Sequence, residues 1–346
     1  MAHHGTFCQL MLSPLIDHYA VKRPIDWTRQ FGRRAPLHVE IGFGYGETLV
    51  RSASACSGDD FIGIEQIWER IYKTLKRIHG ATPPLKNIRI LGMDARVALE
   101  RLFAEKSIHH LYALFPCPWP KKGHVKYRLF NRIFLKLANN RLVAGGQIKV
   151  VTDSQAFHAW MVEQLPGTGF SHSFQNITAQ FDTKYERKWR QQGIEKFYEL
   201  VLTKKRHLSQ PTIEDILLKT YQLDSCDPQK FKMPSQPVHF SLDGKKGQGT
   251  VVFKDYMFDP QKQRGLVSLI VAEEHLTQSF RVAIVKSTSG PGKALPFAGG
   301  SHGRAGPATG GGWRVFKADN QQFFPTPGIA KSIEVVYSAL QSPENF

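Results

Sequence analysis

Over the first 206 positions, short apolar runs alternate with longer stretches of helical spacing. This is the signature of a parallel sheet with helical crossovers. Leu37-His38-Val39-Glu40-Ile41 reads as a strand running into the turn Gly42-Phe43-Gly44-Tyr45-Gly46, with a helix expected from Glu47. A strand is expected over 61–65 and a helix over 67–78, where Ile67, Ile71, Leu75 and Ile78 share one face. A third strand, 87–91, runs out at Gly92-Met93-Asp94 and is followed by a helix over 95–103. A fourth, 108–115, is stopped by Pro116, Pro118 and Pro120, which cannot continue a ladder. A helix from about 126 to 142 then leads to a fifth strand, 147–151, and 199–203 is a late strand closing the sheet.

The texture changes after Lys204-Lys205-Arg206. A helix is expected over 213–223, then strands over 238–242, 250–253, 266–271, 280–285 and 313–316, and a closing helix over 329–340. Between them, 290–312 holds nine glycines in 23 residues without apolar periodicity and reads as a mobile loop. Three segments result: a lead-in over 1–36, a domain over 37–206, and an appended α+β domain over 211–346 whose role is not legible.

Hydrophobic residues at 41% and charged residues at 22% are ordinary globular usage. No apolar run approaches the ~18 residues of a membrane span, and Met1 to Leu12 has no Lys or Arg, so no secretory leader is expected. Cys8, Cys56, Cys117 and Cys226 form no CxxC pair. That argues against a disulfide framework or a metal site and for the reducing cytoplasm. Charge is more informative. The net charge is +17, of which residues 1–210 carry +14 with 31 basic and 17 acidic side chains. Between Glu105 and Asp153 lie nine Lys or Arg and no carboxylate. A solvated basic face is the bland reading, but so one-sided a field attracts polyphosphate, and the absence of a basic amphipathic helix favours nucleic acid over membrane.

Position 47 is Glu, so the turn after Glu40 lacks the third glycine of a dinucleotide fingerprint, and no P-loop lysine follows. Glu65 ends the second strand and Asp94 lies just beyond the third. In a doubly wound sheet such carboxyl ends meet at the ligand crevice. One acid can accept from ribose hydroxyls and the other can bind an adenine amino group. Each alone is more often a cap or a surface residue. Together they suit a ligand with ribose and adenine but no phosphate to cradle, S-adenosylmethionine.

Leu114-Phe115-Pro116-Cys117-Pro118-Trp119-Pro120-Lys121-Lys122 resembles the F-P-D-P-W-P-K-K signature of bacterial tRNA (guanine-N7)-methyltransferases. The Glu40–Gly46 turn, Gly63-Ile64-Glu65, Asp94-Ala95, Thr152-Asp153 and Thr183-Lys184-Tyr185-Glu186 follow in that family's order, from about Pro24 to Arg206. The resemblance implies a Rossmann-like, mostly parallel seven-stranded sheet. It implies methyl transfer from S-adenosylmethionine to guanine N7 in the tRNA variable loop. Glu40, Gly42, Gly44, Glu65, Asp94 and Ala95 would hold the cofactor. Lys121, Asp153, Thr183, Lys184, Tyr185 and Glu186 would line the substrate side, with Asp153 catalytic. Cys117 stands where the family has aspartate, and a thiol is a poor acceptor. Guanine N7 is already nucleophilic, so the family aspartate is read as an anchor, and Cys117 as its weaker replacement. Lys122, Lys126, Arg128 and Arg132 are expected on the RNA backbone, with Arg128, Arg132 and Lys136 forming one helical stripe. The partner expected is tRNA, for a monomer or small homo-oligomer. Two rivals stay open: a tRNA-binding relative without catalysis, and a methyltransferase aimed at another RNA nucleotide.

Overall fold

The computed structural model describes residues 12–193, 195–211, 213–242, 247–273, 275–287 and 312–341. The chain divides into two compact units, Met1–Glu214 and Asp215–Phe346.

The first unit runs α1 Trp27–Phe31, β1 Leu37–Ile41, α2 Glu47–Ala55, β2 Asp60–Glu65, α3 Trp68–His79, β3 Ile88–Gly92, α4 Ala95–Arg101 and β4 Ile108–Leu114. It continues with α5 Arg132–Arg141, β5 Leu142–Thr152, α6 Gln155–Gln164, β6 Phe170–Thr178, α7 Lys184–Gln191 and β7 Lys196–Lys204. The seven strands are ordered β3-β2-β1-β4-β5-β7-β6. β3, β2, β1, β4 and β5 are parallel, and β7 is antiparallel to both β5 and β6. This is the expected Rossmann-like fold. Strand order reverses beside β1, so its ligand crevice lies at the carboxyl ends of β1 and β4. Three of the four residues of the expected helical stripe share a buried face, whereas Ile67 is the N-cap in front of the helix and is 46% exposed. Ile71, Leu75 and Ile78 of α3 bury against Phe43, Leu49, Phe61, Ile88 and Ile90, each worth about 1.5–3 kcal/mol.

Three local expectations are corrected. The helix expected from 126 starts at Arg132, because Asn131 caps it by accepting from the Phe134 N–H (3.0 Å), and a 3-10 turn, Lys122–Tyr127, precedes it. β5 begins at Leu142, directly after α5, rather than at 147. β6 went unplaced because it is an edge strand with most of its residues exposed, and its Ser171, Ser173 and Gln175 give no apolar alternation. At the opposite edge, the lead-in joins β3: Ile90 N–H donates to Pro14 O (2.7 Å) and Ile16 N–H to Ile90 O (2.9 Å). After β7, Asn139 Nδ2 donates to Arg206 O (2.9 Å) and Asn140 Nδ2 to Leu208 O (3.0 Å). The first unit's own hydrogen bonds therefore run to Leu208.

The second unit has β8 Tyr221–Leu223, β9 Val238–Leu242, β10 Gly247–Asp259, β11 Arg264–Glu273, β12 Leu276–Lys286, β13 Trp313–Lys317 and α8 Pro327–Gln341. Its antiparallel sheet is ordered β8-β13-β12-β11-β10-β9, with α8 packed through Ile329, Ile333 and Val336 onto Val251, Val267, Val282 and Val315. The helix expected over 213–223 does not form: residues 213–220 are irregular and 221–223 is β8. Leu217 is 93% exposed, while Leu218 packs on this unit's core and the Ile216 N–H donates to Pro325 O (3.1 Å), so the segment is pinned as irregular chain and buries no helical face. The glycine-rich segment lies, over 288–311, outside the described residues. Among the described residues no helix is long and apolar enough to cross a membrane, and no His, Cys, Asp and Glu cluster could hold a metal.

Candidate active site

The carboxyl ends of β1, β2, β3, β4 and β5 carry most of the candidate site residues. After β1, Gly42 and Gly44 adopt φ +69° and +59°, and a Cβ at either would project into open space. The turn is thus a cradle whose floor is bare backbone. Gly46 has another task. A Cβ there would meet Thr74 Cγ2 at 2.4 Å, so its absence lets α3 approach the turn.

Glu40 is 7% exposed, and its side chain makes no hydrogen bond or ion pair among the described residues. Burial pushes its carboxyl up to about 8, against a smaller opposing pull from Arg51. A buried carboxyl without a partner costs free energy, and this one lines the crevice. Glu65 closes the turn from the next strand. Its Oε2 accepts from the Gly44 N–H (3.2 Å) and its Oε1 from the Gln66 and Ile67 N–H groups (2.9 and 3.1 Å). Asp94 caps α4 through Oδ1, accepting from Arg96 N–H (2.7 Å), while Oδ2 accepts from Gln66 Nε2 (2.8 Å). Ala95 opens α4, buried.

Beyond β4, Phe115 and Trp119 hold φ +54° and +43°, values costly for aromatic residues. The surroundings impose them. Phe115 N–H donates to Val151 O (2.7 Å), and its ring packs on Trp189 and Phe197. Arg128 donates through Nε to Pro118 O (2.9 Å) and through a terminal nitrogen to Trp119 O (3.3 Å), with its guanidinium over the Trp160 ring. Between these clamps Cys117 is an exposed free thiol. This corrects the expected stripe. Arg128 is 8% exposed, precedes α5 and is spent on the loop, so it shares no helical face with Arg132 and Lys136. Lys121, Lys122, Lys126 and Arg132 remain exposed.

Asp153 follows β5, its carboxyl raised by burial. Thr183 caps α7 by accepting from Glu186 N–H (3.1 Å). Glu186 is fully buried, its carboxylate taking the N–H groups of Gln180, Phe181 and Thr183 (3.0, 3.1 and 3.1 Å). It braces this segment, and its oxygens face the chain's own backbone rather than an open pocket. Thr183, Lys184 and Tyr185 wall the crevice opposite the glycine turn. The space between them is narrow, ≈ 80 Å³. Glu47 holds α7 there, accepting from the Lys184 N–H (3.0 Å) and pairing with Arg187. Glu47 and Arg70 also line this crevice, Arg70 pairing with Glu65 (3.4 Å), and Arg187 braces Glu47; none of the three is singled out by the sequence motifs. The signal available was Glu47 itself, a charge where a nucleotide-binding turn has glycine.

Residues 34–199 match the family described as "Putative methyltransferase". The chain is 46% identical over 172 residues to a tRNA (guanine-N(7)-)-methyltransferase of Chlorobium phaeobacteroides, covering 50% of this chain and 83% of that protein. It is 35% identical over 181 residues to the Thermotoga maritima protein of that name (50% and 56%). With the Bordetella pertussis protein it shares 39% identity over 145 residues (42% and 56%). The chain thus spans little more than half of the latter two. Among solved structures, a 16S rRNA (adenine(1408)-N(1))-methyltransferase from Catenulisporales acidiphilia superposes with TM-score 0.42 at 13% identity, covering 54% of this chain and 94% of that one.

Proposed function

Because the chain belongs to the tRNA (guanine-N7)-methyltransferase family, we propose that it transfers a methyl group from S-adenosylmethionine to N7 of a guanine in the tRNA variable loop. The observation that supports this most is the bare-backbone cradle beside a buried, unpartnered Glu40, level with Glu65, Asp94 and Asp153 at neighbouring strand ends. Those residues fit the cofactor. Glu40 and the backbone at Gly42 and Gly44 would hold its charged amino-acid end. Glu65 and Asp94 with Ala95 would hold ribose and adenine. When bound, the cofactor supplies an electrophilic methyl on a positively charged sulfur.

The chain's own contribution is placement. Guanine N7 carries an in-plane lone pair and loses no proton, so no general base is required and orientation carries the barrier lowering. Asp153 would accept from the guanine edge, Thr183–Tyr185 would bound the base, and the Pro118–Pro120 loop would set the wall against which N7 lines up. Incubation with labelled S-adenosylmethionine and bulk tRNA, followed by nucleoside mass spectrometry, should yield 7-methylguanosine. Another methylated nucleoside would favour the re-aimed enzyme, and tRNA binding without product would favour the non-catalytic relative.

Glu40 makes the cofactor reading pH-sensitive. Its folded-state pKa lies above its unfolded value, so between the two the free protein binds more protons folded than unfolded, and stability should fall as pH climbs from the ordinary carboxylate range to about 8 and level off above it. A cationic ligand favours the carboxylate. Affinity for S-adenosylmethionine should therefore rise over the same window, and Glu40→Gln should flatten both profiles. Calorimetric titration and thermal melts across pH check this, and a flat wild-type profile would remove Glu40 from the cofactor site.

At position 117, restoring a carboxylate should help. A charge-assisted hydrogen bond is worth roughly 1.5–3 kcal/mol, about one to two orders of magnitude in rate. Cys117→Asp is expected to speed single-turnover methylation by that factor and Cys117→Ser to change little. Loss of activity in Cys117→Ser would reveal a chemical role for the thiol.

A further inference from the structure

Next to the crevice, an open groove of ≈ 620 Å³ is lined by Tyr45, Glu47, Lys73, Lys76, Arg77, Lys184 and Arg187. None of the basic residues from α3 belongs to the motifs of the cofactor and guanine sites. Lys73, Lys76 and Arg77 stand three and four positions apart, so they share one face of α3, while Ile71, Leu75 and Ile78 bury the other. Lys184 and Arg187 come from α7.

The groove holds more positive charge than its own carboxylates neutralise. Lys73 pairs with Glu69, and Arg187 with Glu47 and Asp182. Lys76, Arg77 and Lys184 have no carboxylate partner among the described residues. Tyr45 sits at the centre, with Lys73 Nζ 4.8 Å and Lys184 Nζ 5.0 Å from its ring centroid, and its carbonyl accepts from Arg77 Nε (3.2 Å). Cations gathered this closely repel one another, and although Lys76 Nζ lies over the Tyr72 ring (4.6 Å) and Arg77 reaches the Tyr45 carbonyl, neither contact neutralises its charge. Tyr45, Glu47 and Lys184 also line the crevice, so the groove opens directly onto it.

We infer that this groove takes a run of RNA phosphodiester backbone, on the strand whose guanine enters the crevice. The inference rests on the RNA-methylating reading above and extends it. β2 and β4 flank β1 in the sheet. The exposed lysines after β4 thus serve one flank of the crevice, and the groove built from α3, after β2, serves the other. Phosphate contacts of this kind fix register without reading sequence. Tyr45 offers a ring face where the backbone turns into the crevice.

The test uses the full-length chain and unfractionated bacterial tRNA, with binding measured against salt concentration. In the double variant Lys76→Gln/Arg77→Gln, which leaves the crevice wall intact, the slope of log affinity against log salt should shrink by about 1.5, since each phosphate contact contributes roughly 0.7–0.9. Affinity near 0.1 M salt should fall about tenfold or more. S-adenosylmethionine binding, measured by calorimetry, should be retained, which also shows that the variant folds. A matched variant, Lys86→Gln/Lys106→Gln, removes the same charge from the far, amino-terminal end of the strands and should leave slope and affinity near wild type. Wild-type slope in the groove variant, or equal losses in both variants, overturns the inference. Groove-dependent tRNA binding by a wild-type chain that makes no methylated product leaves the groove standing and removes the proposed reaction. Methylation by a groove variant with wild-type slope and affinity does the reverse.

Discussion

Asp153→Ala should lower single-turnover methylation of tRNA by about two to three orders of magnitude while leaving S-adenosylmethionine affinity within a few-fold of wild type. Asp153 stands at the β5–α6 junction, where both neighbours are occupied locally. Thr152 Oγ1 accepts from Ser154 N–H (3.1 Å), and Ser154 Oγ accepts from Phe157 N–H (3.2 Å) to cap α6. Those caps fix the backbone and leave the Asp153 carboxyl for a ligand. Burial raises its pKa, so it is a carboxylate whose hydration is already partly stripped and which gains from a donor pair such as the guanine N1–H and amino group. Losing two charge-assisted hydrogen bonds, at roughly 1.5–3 kcal/mol each, accounts for the size of the effect. Asp153→Asn should sit between, since one acceptor remains but its amide nitrogen faces a donor. Activity within tenfold of wild type in Asp153→Ala would take the base-holding role away from this residue.

Arg128→Gln should cost about two orders of magnitude in rate through geometry alone, because misplacing a positioning loop by an ångström is worth that much. Arg128 touches no substrate in this reading. It holds Pro118 O and Trp119 O while its guanidinium lies over Trp160. Removing it leaves two carbonyls short of donors, at a stability cost of about 1–3 kcal/mol, and frees Trp119 to leave its left-handed backbone. The readout that separates placement from simple unfolding is a split. Cofactor affinity and the folded fraction at the assay temperature should hold, while the rate at saturating tRNA falls. Arg128→Lys should not rescue it, since a single ammonium cannot bridge both carbonyls as the guanidinium fork does. A variant that instead loses tRNA affinity with its rate intact would return Arg128 to the RNA-contacting set.

The two large effects differ in how far they could be read from the chain. Asp153 was legible through the resemblance, as the aspartate of Thr152-Asp153 just after the strand expected over 147–151, and side chains at strand ends are placed by the sheet itself. Arg128 was misread for a physical reason. Spacing of four positions predicts a shared helical face only if the helix is continuous, and Asn131 interrupts it by capping α5. Once outside the helix, the guanidinium is captured by nearby backbone carbonyls, whose positions no local pattern encodes. Glu186 shows the same limit. Its spacing from Thr183 is that of a capping box, yet the additional N–H groups from Gln180 and Phe181 arrive only because the preceding loop folds back over it.

Local periodicity alone determined the alternating α/β order, the glycine turn after Glu40, and the acids at successive strand ends. The helices bury one face and the central parallel strands both, the latter reading as short continuous apolar runs, and the turn chemistry between them is local. Tertiary structure decided what depends on partners distant in sequence. β6 is a strand only because β7 offers it an edge, and 213–220 is not a helix because Ile216 and Leu218 pin it as irregular chain. Glu40 is raised to about 8 because neighbouring elements exclude water around it. The basic groove exists because α3 and α7, more than a hundred positions apart in sequence, bring Lys76, Arg77 and Lys184 to the same side of Tyr45. Charge is written residue by residue in the chain, but a field strong enough to hold a phosphate backbone needs those charges brought together in space, and only the fold does that.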